Sequence, residues 1–136
     1  MAILGRDQIL NAKDMKTEDV PVPEWADGDA TCVRIRSLTG AQRDEFENSM
    51  IELKKDGSAK ANRANVRARL VVLCIVNERG EQMFNLADIT QLGNKSAVAL
   101  ERVVEACNEL NGVTEKDIEA LAENFDVAPS DVSTSD

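Results

Sequence analysis

The chain has 136 residues, 43% of them hydrophobic and 30% charged, which suits one domain with a single core. With one Trp, three Phe and no Tyr, that core must draw on Leu, Ile, Val, Met and Ala, and the aromatic platforms on which single-stranded nucleic acid stacks are lacking. The formal charge of -9 is carried entirely by the second part of the chain: residues 1–77 hold 12 acidic and 12 basic side chains, residues 78–136 hold 13 and 4. An acidic surface of this kind repels phosphate backbones and anionic lipid, so no nucleic-acid or membrane partner is expected. It also keeps a protein soluble, and that explanation suffices for the charge by itself.

In chain order, residues 6–13 predict a short helix with Ile9 and Leu10 as its apolar contacts. The run Val20-Pro21-Val22-Pro23-Glu24-Trp25 fits an edge strand or extended arm, because alternate prolines cannot donate to a ladder. Asp27-Gly28-Asp29 supplies a turn. Thr31–Arg36 follows as a strand with Val33 and Ile35 on one face and Arg34 and Arg36 on the other, so the two segments predict a hairpin. Thr39 and Gln42 form a capping-box pattern at the start of a helix expected to run to about Lys55, with Phe46, Met50 and Leu53 on one face. Asp56-Gly57-Ser58 ends it, and Asn62 is read as the cap of a helix from about Ala64 to Cys74.

Residues 70–76 (L-V-V-L-C-I-V) are apolar on every side, which marks the centre of the core as a buried helix segment. A strand over 70–76 competes, because β-branched residues are dense there. Asn77–Gly80 reads as a turn, Glu81–Phe84 as extended, and Leu86–Leu92 as one or two helical turns closed by Gly93. Ser96–Leu110 is the strongest helix, with Ala97, Leu100, Val103, Val104, Cys107 and Leu110 along one side and Glu101, Arg102, Glu105 and Glu109 along the other. Asn111-Gly112 stops it. Thr114 caps a final expected helix through Ile118, Leu121 and Ala122, and residues 126–136 read as an acidic disordered tail. The fold class predicted is α+β, mostly helical: an N-terminal β-hairpin or extended arm followed by four to five helices around one core, in a single domain over residues 1–125.

The chain has no His, which removes imidazole-based nucleophile pairs and imidazole metal ligands. It has no Gly-rich phosphate loop. Glu24, Asp27 and Asp29 lack calcium-loop spacing and are read as turn residues. Lys60, Arg63, Arg67 and Arg69 read as a solvated helix face, with recognition of a phosphate or an acidic segment as the alternative. Cys32, Cys74 and Cys107 are expected to be buried free thiols in a reducing compartment. The apolar run at the N-terminus is too short for a signal peptide and no stretch has membrane-spanning length, so the protein is expected to remain where it is made. No catalytic residue, metal or cofactor is predicted.

The succession V-P-V-P-E-W, V-R-I-R-S-L-T-G, A-Q-R-D-E-F-E, R-A-R-L-V-V-L-C-I-V, N-E-R-G-E-Q-M-F and D-I-T-Q-L-G before the long helix resembles the tail assembly chaperones of long-tailed bacteriophages, over about residues 3–123. Leu38-Thr39-Gly40 followed by Arg43-Asp44-Glu45-Phe46 is its most recognisable piece. The resemblance implies a non-enzymatic protein of the host cell cytoplasm, absent from the finished virion. It implies binding to the tape measure protein, with the tail tube protein as a second candidate partner, and this chain as the shorter of two forms related by frameshifting. A structural minor tail or head–tail joining protein is the alternative. Leu100, Val103, Val104, Cys107 and Leu110 are candidates for partner contact or self-association, against the simpler reading that the stripe packs into the protein's own core.

Overall fold

A computed structural model of the chain describes residues 1–113. The first helix, α1 (Arg6–Asn11), forms where its sequence predicts, but every residue from 1 to 19 is exposed. The inward contacts expected of Ile9 and Leu10 are absent: the two are 57% and 64% exposed.

The proline-punctuated segment is an edge strand. β1 (Thr17–Pro21) pairs antiparallel with β2 (Cys32–Arg36), with Val20 opposite Val33 and Pro21 opposite Cys32. A 3-10 turn at Pro23–Trp25 and reciprocal backbone bonds between Asp27 and Ala30 close the connection. The predicted alternation holds in β2, where Ile35 is fully buried, Val33 is half-buried and Arg34 reaches across the outer face to Asp19 at 2.7 Å. The same alternation corrects the expectation for Cys32. As residue i−1 of Val33 it points outward with Arg34 and Arg36, and it is exposed, whereas Cys74 and Cys107 are buried.

α2 (Gly40–Ser49) starts with the predicted capping box, Thr39 Oγ1 accepting from the Gln42 amide and Gln42 Oε1 from the Thr39 amide, both at 3.0 Å. It ends at Ser49, six residues short of Lys55. Ile51–Leu53 (β3) instead pairs with Ala59–Ala61 (β4) in a second, two-stranded sheet that periodicity did not predict. The Asp56–Ser58 turn that was read as a helix stop works as the hairpin turn, with Gly57 at φ 87° and the Asp56 carboxylate accepting from the Ser58 amide at 2.9 Å. Of the expected helix face, Met50 is buried just past the helix end and Leu53 stands 76% exposed.

Arg69 explains why the hairpin is held. Its guanidinium donates to the Ser49 carbonyl, to Ser49 Oγ at 3.0 Å, to the Asn62 carbonyl at 2.6 Å and to the Ala64 carbonyl at 3.0 Å. It thus ties both ends of the β3–β4 unit to α3 (Val66–Cys74). Burial pushes its pKa below the ordinary arginine value, and it stays a cation held by carbonyl dipoles. The basic face read from sequence is therefore not one face. Lys60 lies in β4, Arg67 pairs with Glu101 at 2.6 Å and Arg69 is turned inward.

α3 begins at Val66, two residues later than expected, and its cap position is Asn65 in left-handed geometry (φ 54°) instead of Asn62. Asn65 is wedged against Gly93, where any Cβ would collide with its side-chain oxygen. The helix runs to Cys74, and the next two residues, Ile75–Val76 (β5), pair with Ile35 and Arg34 to complete the sheet in the order β1-β2-β5. Helix and strand readings of the 70–76 run each capture part of it. The Asn77–Gly80 turn and the helical turns over 86–92 follow as predicted, as a 3-10 turn at Leu86–Asp88 and α4 (Ile89–Gly93), which takes in Gly93; a bridge from Val76 to Gln82, not predicted, joins the extended segment to the sheet. α5 (Ala97–Leu110) is capped by Ser96, whose hydroxyl accepts from the Ala99 amide at 3.3 Å. The described chain is α+β, with α3 and α5 packed together over the three-stranded sheet. The final helix expected from Thr114 and the tail at 126–136 lie outside the described residues.

Two outcomes follow. Arg69→Met should lower stability by about 2–3 kcal/mol, the usual loss for hydrogen bonds to a charged group, read as a lower urea midpoint with an unchanged slope. A thiol reagent should label one cysteine, Cys32, in the native protein, and three once urea opens the core.

Candidate partner-binding surface

The apolar stripe of α5 divides in two. Leu100, Val103 and Cys107 are buried in the core, together with Ala99, while Val104 and Leu110 are half-buried and keep surface; Ala97 is exposed. The helix is placed by groups at both ends. Arg67 of α3 reaches Glu101, and Arg102 reaches Glu24 beside Trp25 at 3.0 Å. At the far end Asn111 donates to the Cys107 carbonyl and accepts from the Leu38 amide, both at 2.7 Å. The sequence reading of Asn111 as a helix stop missed this second task, which ties α5 to the turn before α2.

Cys107 touches Cys74 across the α3–α5 contact. The hydrogen bond between these thiols, with burial, pushes the Cys107 pKa well above the ordinary thiol value, so neither reactivity nor metal binding is favoured there. Among the described residues no group of Cys, Asp and Glu side chains is placed to hold a metal ion, and no helix is long and apolar enough to cross a membrane. The cluster at Glu24, Asp27 and Asp29 does turn and ion-pair work: Asp27 closes the loop to Ala30, and Glu24 is held by Arg102. That hydrogen bond, then the backbone amide, holds the Glu24 pKa below the ordinary glutamate value.

The feature that sequence reasoning missed is a groove of about 240 Å³ beside the sheet. Trp25, Val33, Ile75, Met83, Phe84 and Leu92 line it, and Asp88 and Lys95 stand at its rim. It draws on the 3-10 turn after β1, on β2, on β5 and on α4, elements far apart in sequence, so no local pattern announces it. The available hint was that Trp25 and Phe84, half of the aromatic residues, sit in non-helical segments beside turns. No catalytic constellation adjoins it; the groove is suited to apolar side chains of a partner.

These features describe a small α+β domain with an apolar groove, in a chain of net charge -9. A family model for phage tail assembly chaperones matches residues 6–124, and the chain belongs to that family. Among solved structures it is similar to the tail assembly chaperone of bacteriophage HK97, at 16% identity and a TM-score of 0.52, over 80% of this chain and 95% of that one. At that identity the likeness is one of fold. Comparison with curated proteins returned no match.

Replacing Arg102 by Gln should raise the Glu24 carboxyl pKa towards its ordinary value, the backbone hydrogen bond remaining, as followed by NMR titration. The sign follows from the depressed pKa. The pair adds stability above the ordinary glutamate value and loses it as pH falls through the depressed one, so the variant should give up less stability than the parent on acidification.

Proposed function

We propose that this chaperone binds the tape measure protein in the host cell cytoplasm, keeps that long helical chain soluble until tail tube subunits polymerise around it, and does not remain in the virion. The observation that carries this reading is an apolar groove in a member of the tail assembly chaperone family. Amphipathic helices with unpaired apolar faces aggregate unless covered, and a groove covers them reversibly through contacts that need no chemistry. The charge of the second part of the chain keeps the complex apart from its neighbours. Contact with the tail tube protein at hand-over and a longer frameshifted form both fit this role.

Of the α5 stripe, Val104 and Leu110 hold the surface that a partner can reach. Leu100, Val103 and Cys107 act through the core that presents them. Their burial stabilises the fold by roughly 1.5–3 kcal/mol for each full-sized apolar side chain.

Co-expression with the tape measure protein of the same phage, followed by pull-down, is the direct test. The tape measure chain should be soluble and captured only in the presence of the chaperone, and mass spectrometry of purified virions should lack the chaperone. An insoluble tape measure chain, or a chaperone present in stoichiometric amount in virions, defeats the reading. Val104→Asp should cost at most about 2 kcal/mol of stability and reduce capture by about tenfold. Val103→Asp, fully enclosed, should cost about 4 kcal/mol or more and unfold the protein generally.

A further inference from the structure

The β3–β4 hairpin is a basic element in an acidic chain. Residues 51–63 hold Lys54, Lys55, Lys60 and Arg63 against Glu52 and Asp56. Lys54, Lys55 and Lys60 are exposed, and none lies within ion-pair distance of a carboxylate among the described residues. Asp56 feels the charge of Lys54 but is held by the turn, where it accepts from the Ser58 amide at 2.9 Å and the Ser58 hydroxyl at 2.6 Å. Glu52 faces Lys60 across the ladder. The bond from the Lys54 amide to the Ser58 carbonyl, at 2.8 Å, extends that ladder past β3, so strand alternation puts Lys54 on the same side of the ribbon as Lys60. Arg69 grips both ends of the ribbon and gives the lysines a fixed base. Among the described residues no third strand lies on either edge. A lysine on an open edge guards it against pairing with other chains, which accounts for Lys60 but not for Lys54 and Lys55 at the turn.

We propose that the acidic segment at residues 126–136 of the same chain lies over this hairpin, with Asp126, Asp131 and Asp136 meeting Lys54, Lys55 and Lys60. Charge selects this occupant: the segment has three carboxylate side chains and no cation, and it falls in the longest cation-free run of the sequence, residues 117–136. Reach permits it. Asn111 ties the end of α5 to Leu38, and α2 runs from there to Ser49, where the hairpin begins. That helix of 10 residues is about 15 Å long, and a further helix over 114–123 carries the chain at most about 15 Å more. The 13 residues from 124 to 136 span up to about 40 Å, enough to return from either place. Exposed charge pairs are weak one by one, but a tether raises the local concentration of the segment and favours its own hairpin over that of a second copy. An anionic partner then reaches the lysines only by displacing the segment. This inference rests neither on tape measure binding nor on the groove.

A water-soluble carbodiimide, which joins a carboxylate to an amine in contact with it, tests the proposal on the full chain at low salt. Unlabelled and nitrogen-15-labelled chains are mixed in equal amounts before coupling. Lys54, Lys55 or Lys60 should be found joined to Asp126, Asp131 or Asp136 in all-light and all-heavy peptides only, and about 1 M salt should cut the yield by about tenfold. Asp126→Asn/Asp131→Asn/Asp136→Asn leaves every described residue unchanged. It should move the amide NMR signals of residues 52–60 while those of α3 and α5 stay in place, and high salt should bring the parent's hairpin signals to the variant's positions. Mixed light–heavy products would give the hairpin to a second copy. Absence of these cross-links would leave it to an outside anion, and hairpin signals indifferent to the variant would remove the contact; each overturns the proposal.

Discussion

Seven consecutive residues, Leu70 to Val76, are enclosed on every side, and the rest of the molecule is arranged to enclose them. A helix apolar all round has no face to offer water, so it must be covered from several directions at once. α5 covers one side through Val103 and Cys107, the latter against Cys74. α4 adds Leu92, the sheet adds Val20 and Ile35, and Val22 just past β1 joins them. The switch from helix at Cys74 to strand at Ile75 lets a single short run serve two layers, packing as helix under α5 and pairing as strand with β2. Both β-branched density and helical periodicity are satisfied by splitting the run between them.

The polar ties lie outside this centre and set the angles at which its covers approach. Arg69 gathers carbonyls at both ends of the β3–β4 hairpin, and Arg67 and Arg102 fix α5 against α3 and against the turn that carries Trp25. The exposed ion pairs add little to stability, since exposed pairs are screened by water and salt. Their effect is geometric. Glu24 held by Arg102 fixes the turn that carries Trp25, and that turn makes one wall of the groove, which Phe84 also lines.

The family and the fold both suit a protein that acts by surface contact. Among the described residues no buried side-chain polar atom lacks a hydrogen-bond partner. Among the described residues large apolar side chains stand exposed on the N-terminal arm and at Leu53, Leu86 and Val98, and an apolar groove is open beside the sheet. Binding energy at such surfaces comes from area removed from water, which is reversible and tolerant of partner sequence.

Sequence alone determined the features that depend on neighbours along the chain. The capping box at Thr39 and Gln42, the inward Val33 and Ile35, the extent of α5 and the burial of Cys74 and Cys107 were legible because a cap, a strand alternation or a helical stripe is local physics. The outward place of Cys32 was legible too, from the register of Val33 and Ile35. Where competing local structures were close in energy, tertiary contact decided. The segment after Ser49 is a fair helix by composition, but the Asp56–Ser58 turn and the reach of Arg69 from α3 hold it as a hairpin. The groove and the unpartnered arm were likewise decided only by the folded chain, because exposure is a property of what packs nearby in space and Ile9 and Leu10 look in sequence like any other core pair.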